Sequence, residues 1–168
     1  MRFWLFYGTL MDREVREIVL DRPGDVDELT PARLMGYARR RALDEHYPVL
    51  VPTAGGCVAG LVCRLSAEDE RRVRYFEGEE YRPRHRLVQL AGGERLPARV
   101  WLPQAGFRAS GERWEIESWV AVHKAEFLTL ARQWMAGFGH LGFAEADAAW
   151  DLARGIGAHP ELRRRSGG

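Results

Sequence analysis

The chain has little of what thiol, disulfide and metal chemistry require. Its 168 residues include two cysteines, and its five histidines are scattered, without a CxxC or HExxH motif. Cys57 and Cys63 lie six apart in one predicted strand, about 20 Å from each other, so a disulfide would need the strand to break. We therefore expect no disulfide framework, no metal site and a reducing, cytoplasmic location.

Excess charge and long apolar runs are also missing. The 25 Lys and Arg residues balance 24 Asp and Glu residues, for a formal charge of +1. This balance is unlike the strongly basic domains that bind nucleic acid. No run approaches 18 apolar residues, and the apolar start of the chain is too short for a signal peptide. We expect neither a nucleic-acid partner nor a membrane span, while the oligomeric state stays open.

What is present is the composition of a globular domain, with 46% hydrophobic and 29% charged residues. A buried strand is expected over residues 2–7, followed by a short helix that Asp12 can cap. A second helix begins at Ser66 in a capping box and stops at Gly78. Two further helices are predicted from apolar spacing, over residues 114–138 and 144–154.

The remaining predicted strands are bounded by glycine, proline or turn residues, and cover 30–43, 47–52, 56–65, 81–90 and 95–102. This order of elements is α+β, and several strands with glycine interruptions favour a small mixed β-barrel with flanking helices. We expect one domain over residues 1–140 and a C-terminal helical extension with a frayed tail over 141–168.

The first candidate site is the turn at Tyr7, Gly8, Thr9 and Leu10. A buried strand ends there abruptly before a helix. Successive backbone N–H groups in such a turn can form a nest that accepts a carboxylate, and glycine allows close approach of a ligand. A plain strand-to-helix turn explains the same residues, so this segment alone does not decide.

The second candidate is Glu77, which follows Tyr75 and Phe76 and precedes Gly78 at the end of a helix. A carboxylate among aromatics and near a helix C-terminus should have its pKa raised. That would suit a general base working near neutral pH. The alternative is a solvated loop acid beside two further glutamates.

The two segments occur together with further motifs in a fixed order. They are YGTL at 7–10, LMGYARR at 34–40, YPVLVP at 47–52, VAGLVCRL at 58–65, YFEGEEY at 75–81 and WEIESWVAVHKAEF at 114–127. In this combination the chain resembles the γ-glutamylcyclotransferase-like superfamily, and within it the AIG2-like proteins. The resemblance covers about residues 1–135.

The resemblance implies a mixed fold around a small β-barrel and a cofactor-independent enzyme of transferase or lyase type. Its substrate would be a small γ-glutamyl amine or γ-glutamyl amino acid, from which 5-oxoproline is released. By the same resemblance Glu77 is the general acid/base, Tyr7 to Leu10 bind the α-amino-acid end of the substrate, and Tyr81 is a substrate contact. No metal or organic cofactor is implied.

A different class of function is also compatible with the sequence. The chain could instead be a non-catalytic small-molecule-binding or protein-interaction module that keeps the same substrate pocket. Pro83 motivates this alternative, because it interrupts the strand after Tyr81 and leaves open whether Arg82 or Arg84 faces the pocket. The arginines at 39–41 are interpreted as solvated protection of a strand edge, with phosphate contact as the alternative. The tryptophans in 114–138 are interpreted as core.

Overall fold

The computed structural model describes residues 2–23 and 29–154 of the chain. The strands are β1 (Arg2–Phe6), β2 (Thr30–Ala42), β3 (Pro48–Leu65), β4 (Tyr81–Leu90), β5 (Arg95–Pro103) and β6 (Ala109–Arg113). The helices are α1 (Arg13–Leu20), α2 (Ala67–Glu77), α3 (Ile116–Val122), α4 (Lys124–Ala136) and α5 (Phe143–Ala153). A short 3-10 turn, Thr9–Met11, connects β1 to α1.

Five strands close into a mixed barrel, which confirms the predicted fold class. The strand order is β3-β1-β5-β4-β2, and pairing between β2 and β3 closes the ring, while β6 extends from β2. β1 lies between β3, to which it is antiparallel, and β5, to which it is parallel. Trp4 and Leu5 on β1 are therefore almost fully buried in the core.

The β2–β3 hairpin is longer than the sequence indicated. Two predicted strands, 47–52 and 56–65, are one 18-residue strand, β3. Gly55, which lies between them, does not end the strand: it has a φ of +70°, and the pairing register shifts between Met35 and Tyr37 on β2. Further along β3, a Cβ on Gly60 would lie 2.5 Å from the Phe6 carbonyl oxygen, so only glycine allows β1 this close.

The predicted long helix over 114–138 is wrong in detail. Helix α3 begins at Ile116, and the helix is interrupted at His123 before α4 begins. The His123 ring stacks on the His46 ring, with centroids 3.9 Å apart. Apolar residues keep the same spacing on both sides of His123, so periodicity could not reveal this break.

Helix α2 has the ends that the sequence predicted. The Ser66 side chain accepts a hydrogen bond from the Asp69 backbone, and the Asp69 carboxylate accepts one from the Ser66 N–H. Gly78, with a φ of +69°, ends the helix. Only a residue tolerant of positive φ can turn the chain here, so the glycine sets where Glu77 ends α2 and Tyr81 begins β4.

Helix α5 packs against the end of α4, and its Ala146 is buried. The Trp150 ring meets the Trp134 ring edge-on at 5.6 Å, and Arg154 forms an ion pair with Glu45 at 2.7 Å. The end of the predicted frayed tail, ELRRRSGG, lies outside the described residues. Within 2–23 and 29–154, no helix is both long and apolar enough to cross a membrane.

Candidate active site

One cavity of about 120 Å³ opens where the turn after β1 faces the end of α2. Residues from the start of the chain, its middle and helix α5 share its wall. All six site residues predicted from the sequence line it: Tyr7, Gly8, Thr9, Leu10, Glu77 and Tyr81. The fold thus brings together two segments about 70 residues apart in sequence.

Glu77 is the last residue of α2, and its side chain is only partly exposed to solvent. Burial raises the pKa of its carboxyl group from 4.5 to about 8. The direction agrees with the prediction, and the cause is desolvation, which penalises the charged form. A carboxyl group with this pKa exchanges a proton close to neutral pH, which few carboxyl groups in proteins do.

Two buried tyrosines flank Glu77. The Tyr7 hydroxyl donates to the Trp101 carbonyl oxygen at 2.7 Å, and the Tyr81 hydroxyl donates to the Pro48 carbonyl oxygen at 3.1 Å. Burial raises the pKa of both hydroxyls, and the negative charge of Glu77 raises each further. Both tyrosines therefore stay neutral, and each donates its hydroxyl proton to a backbone carbonyl oxygen.

The Gly8–Leu10 turn is fixed by backbone hydrogen bonds. The Met11 N–H donates to the Gly8 carbonyl at 2.9 Å, and the Asp12 N–H donates to the Thr9 carbonyl at 2.9 Å. The first N–H groups of such a turn have no acceptor within it, so they can serve an anion. Gly8 has a φ of −123°, so conformation does not require glycine. Close packing does, because a Cβ on Gly8 would lie 2.9 Å from Pro48 Cγ.

Arg39 corrects one interpretation from the sequence. Its side chain is not solvated protection of a strand edge, since only 12% of it is exposed. Its Nη1 donates to the Tyr7 carbonyl oxygen at 2.9 Å, behind the turn. Nothing distinguished Arg39 in the sequence from Arg40 and Arg41, because its burial depends on strand pairing and on the distant Trp114.

The outer wall of the cavity was not anticipated. It carries four further acids, Glu45, Glu79, Glu80 and Asp147, and aromatic rings that include Tyr47, Phe127, Trp134 and Trp150. Trp134 was interpreted as core, and it is partly that, since its indole N–H donates to the Tyr75 carbonyl at 2.9 Å. The helical spacing of Phe127 and Trp134 could not distinguish a core position from a cavity wall.

Pro83 does not disrupt β4. The register with β5 runs without a shift from Tyr81 opposite Pro103 to Gln89 opposite Arg95. Among the described residues, β2 pairs with β4 only at Gln89 and Leu90, so Pro83 lies in a part of β4 that has β5 as its one neighbour. Neither Arg82 nor Arg84 lines the cavity.

The described ranges 2–23 and 29–154 contain no candidate metal site, because no three His, Cys, Asp or Glu side chains lie close enough there to hold an ion. The expectation that no cofactor is used stays a prediction. Cys57 and Cys63 form no disulfide with each other; Cys57 is exposed and Cys63 is buried.

Comparison with known proteins agrees with the fold described above. A family model described as "Gamma-glutamyl cyclotransferase, AIG2-like" matches residues 4–121. The chain belongs to this family. Among the family's relatives, "AIG2-like protein C" of Arabidopsis thaliana is 30% identical over 133 residues, which cover 77% of this chain and 75% of that protein.

Solved structures agree on the fold of this AIG2-like chain. The solution structure of an Arabidopsis thaliana protein matches with a TM-score of 0.58 and 24% identity, covering 84% of this chain and 95% of that one. A structure described as "Gamma-glutamyl cyclotransferase" matches with a TM-score of 0.55 and 12% identity, covering 98% of this chain and 96% of that one. At these identities the matches establish the barrel fold alone.

Proposed function

We propose that this chain is a γ-glutamylcyclotransferase that releases 5-oxoproline from a γ-glutamyl amine or a γ-glutamyl amino acid. Family membership supports a cyclotransferase-like role. The observation that carries the proposal is that Glu77, whose pKa burial raises to about 8, lines the same cavity as the Gly8–Leu10 turn. Glu77 would be the general acid/base, and the turn would hold the substrate.

The proposed reaction needs little from the protein, because the nucleophile belongs to the substrate. The substrate's α-amine attacks its own γ-carbonyl carbon, a C–N bond forms in the five-membered ring, and the C–N bond to the leaving amine breaks. No water is consumed and no oxidant is required. Holding the glutamyl chain in a folded shape supplies much of the acceleration, as in other intramolecular reactions.

Glu77 can serve the proton transfers in both directions. Its carboxylate takes one proton from the α-ammonium group and, after the attack, a second from the new ring nitrogen. Its carboxylic acid returns one of these to the departing nitrogen and releases the other to the freed amine or to solvent. A group with a pKa of about 8 performs both near neutral pH, since neither protonation state is rare there.

The Gly8–Leu10 turn is the proposed site for the α-carboxylate of the substrate. Its first N–H groups are the donors, and Tyr7 and Tyr81 provide neutral polar walls on either side of Glu77. Backbone donors fixed in advance can also stabilise the oxyanion that develops on the γ-carbonyl. Tyr81 as a direct substrate contact is part of this proposal.

A screen for 5-oxoproline tests the proposal. The purified chain is incubated with γ-glutamyl amines, γ-glutamyl amino acids and γ-glutamyl peptides, and 5-oxoproline is measured by mass spectrometry. We expect release from at least one compound without added metal or cofactor. A ligand that binds in the cavity and is recovered unchanged from every incubation would instead favour the non-catalytic module. We further propose a cytoplasmic location, because Cys57 and Cys63 form no disulfide with each other.

A further inference from the structure

Arg39 connects the turn of the cavity to a distant part of the chain. Its Nη1 donates to the Tyr7 carbonyl oxygen at 2.9 Å, and its Nε donates to the Trp114 carbonyl oxygen at 3.1 Å. Its Nη2 lies 3.3 Å from a carboxylate oxygen of Glu115, and its guanidinium carbon is 5.1 Å from the centroid of the Trp114 ring. Every nitrogen of this largely buried side chain is therefore used.

The contact with Tyr7 acts on the peptide unit between Tyr7 and Gly8. The peptide bonds of the described residues are all trans. In a planar trans unit the C=O and the N–H point in opposite directions, so fixing the Tyr7 oxygen also fixes the direction of the Gly8 N–H. A charged donor on the carbonyl also polarises the unit and strengthens its N–H as a donor.

A second buried arginine holds the other end of the turn. Arg16, on α1, is 3% exposed and donates to the carbonyl oxygens of Leu10 at 2.8 Å and Met11 at 2.7 Å. A guanidinium group has donors and no acceptor. The two arginines therefore bind carbonyl groups at both ends of the turn and compete for none of its N–H groups.

We propose that Arg39 is a positioning residue for the reaction described above. It does not line the cavity, and it acts through Tyr7 by keeping the Gly8 N–H in the direction needed to bind the substrate's α-carboxylate. This inference rests on the proposed function. It adds that carboxylate affinity at the turn depends on a side chain outside the pocket, and that the Trp114–Glu115 segment supports that side chain.

The kinetic test replaces Arg39 and compares it with its neighbour. Arg39→Met keeps the apolar stem and removes the donors, and Arg39→Lys keeps the charge without the rigid fork. Arg40→Met is the matched control, because the Arg40 side chain donates to the Gly111 carbonyl on β6 at 3.3 Å, away from the turn. For Arg39→Met we expect KM to rise at least about tenfold with a smaller change in kcat.

For Arg39→Lys we expect a rise in KM of about threefold or more, and for Arg40→Met the wild-type KM. A purely structural role would lower the amount of active protein and leave KM unchanged. Wild-type KM in a folded Arg39→Met would overturn the inference. Should that variant fail to fold, a wild-type KM in Arg39→Lys would overturn it.

A second measurement does not depend on turnover. The backbone amide signals of Gly8, Thr9 and Leu10 are followed by NMR while 5-oxoproline is added as the carboxylate probe. We expect these signals to shift in wild type and Arg40→Met, and to need at least about tenfold more 5-oxoproline in Arg39→Met. Equal affinity in all three proteins, or no shift in wild type, would refute the inference. Absence of 5-oxoproline release by wild type refutes the proposed function instead, and the titration then decides the inference alone.

Discussion

Glu77→Gln should make the protein more stable and less active at the same time. The replacement is nearly isosteric and removes the carboxyl group whose pKa burial raises to about 8. A general acid/base contributes about 100-fold or more, so we expect 5-oxoproline release to fall at least ~100-fold with the fold intact. The stability change follows from the same pKa.

The magnitude comes from the shift of the Glu77 pKa from 4.5 to about 8. The folded state binds this proton more tightly than the unfolded state, so its contribution to stability is full below about pH 4.5. This contribution decreases as the pH rises towards 8, and above that pH the stability no longer depends on the protonation of Glu77. The full shift corresponds to about 5 kcal/mol as an upper limit, and partial exposure reduces it to a few kcal/mol.

Urea unfolding at about pH 5 and about pH 8.5 measures this difference. Because glutamine does not titrate, the stability of Glu77→Gln relative to wild type should increase with pH. Glu68→Gln is the control, since Glu68 is an exposed acid in the first turn of the same helix. Because its side chain is exposed, this replacement should change the stability little.

Two results would refute the reasoning. A stability difference between Glu77→Gln and wild type that is the same at both pH values would mean that Glu77 is not buried as an acid. Undiminished 5-oxoproline release by Glu77→Gln would remove it from the mechanism. The profile of kcat/KM supplies a further check, because activity that needs ionised Glu77 should increase with pH up to about 8.

Three further substitutions test the surroundings of the cavity. Gly8→Ala places a Cβ 2.9 Å from Pro48 Cγ, so we expect a loss of about 1–3 kcal/mol in urea unfolding and weaker 5-oxoproline binding; unchanged binding would contradict this. Trp150→Ala should lower the free energy of unfolding by about 2–3 kcal/mol, less than the loss of a fully buried tryptophan, and it should raise KM. An unaltered KM would show that α5 does not form part of the wall around the substrate. Ser66→Ala removes the cap of α2 and should cost about 1 kcal/mol by thermal unfolding, with no loss expected if the capping box does not form in solution.

Features set by neighbouring residues were predictable from the sequence. The N-terminal cap at Asp12, the capping box at Ser66 and the stop at Gly78 depend on short-range hydrogen bonds and on φ, and each lies where it was predicted. The direction of the Glu77 pKa shift also agrees with the prediction, but its cause is burial, which depends on the segments that the fold brings around Glu77.

Features set by distant pairing were not predictable. The closure of the barrel through the parallel β1–β5 pair joins residues about 95 apart, as in Trp4 opposite Arg99. The burial of Arg39 requires Trp114, and the outer cavity wall requires Trp150 on the last described helix. The residue type at each of these positions is compatible with both an exposed and a buried location, and the location is determined by the tertiary fold.

The central place of β1 in the barrel has a consequence for folding. The first strand of the chain cannot find both neighbours until β3 and β5 exist, so the barrel closes through contacts of long sequence separation, which are slow to form. The cavity needs the same closure, because its walls come from the turn after β1, the end of α2 and α5. Ligand binding should thus return only in the last phase of refolding, so that assembly of the site and closure of the fold are one event.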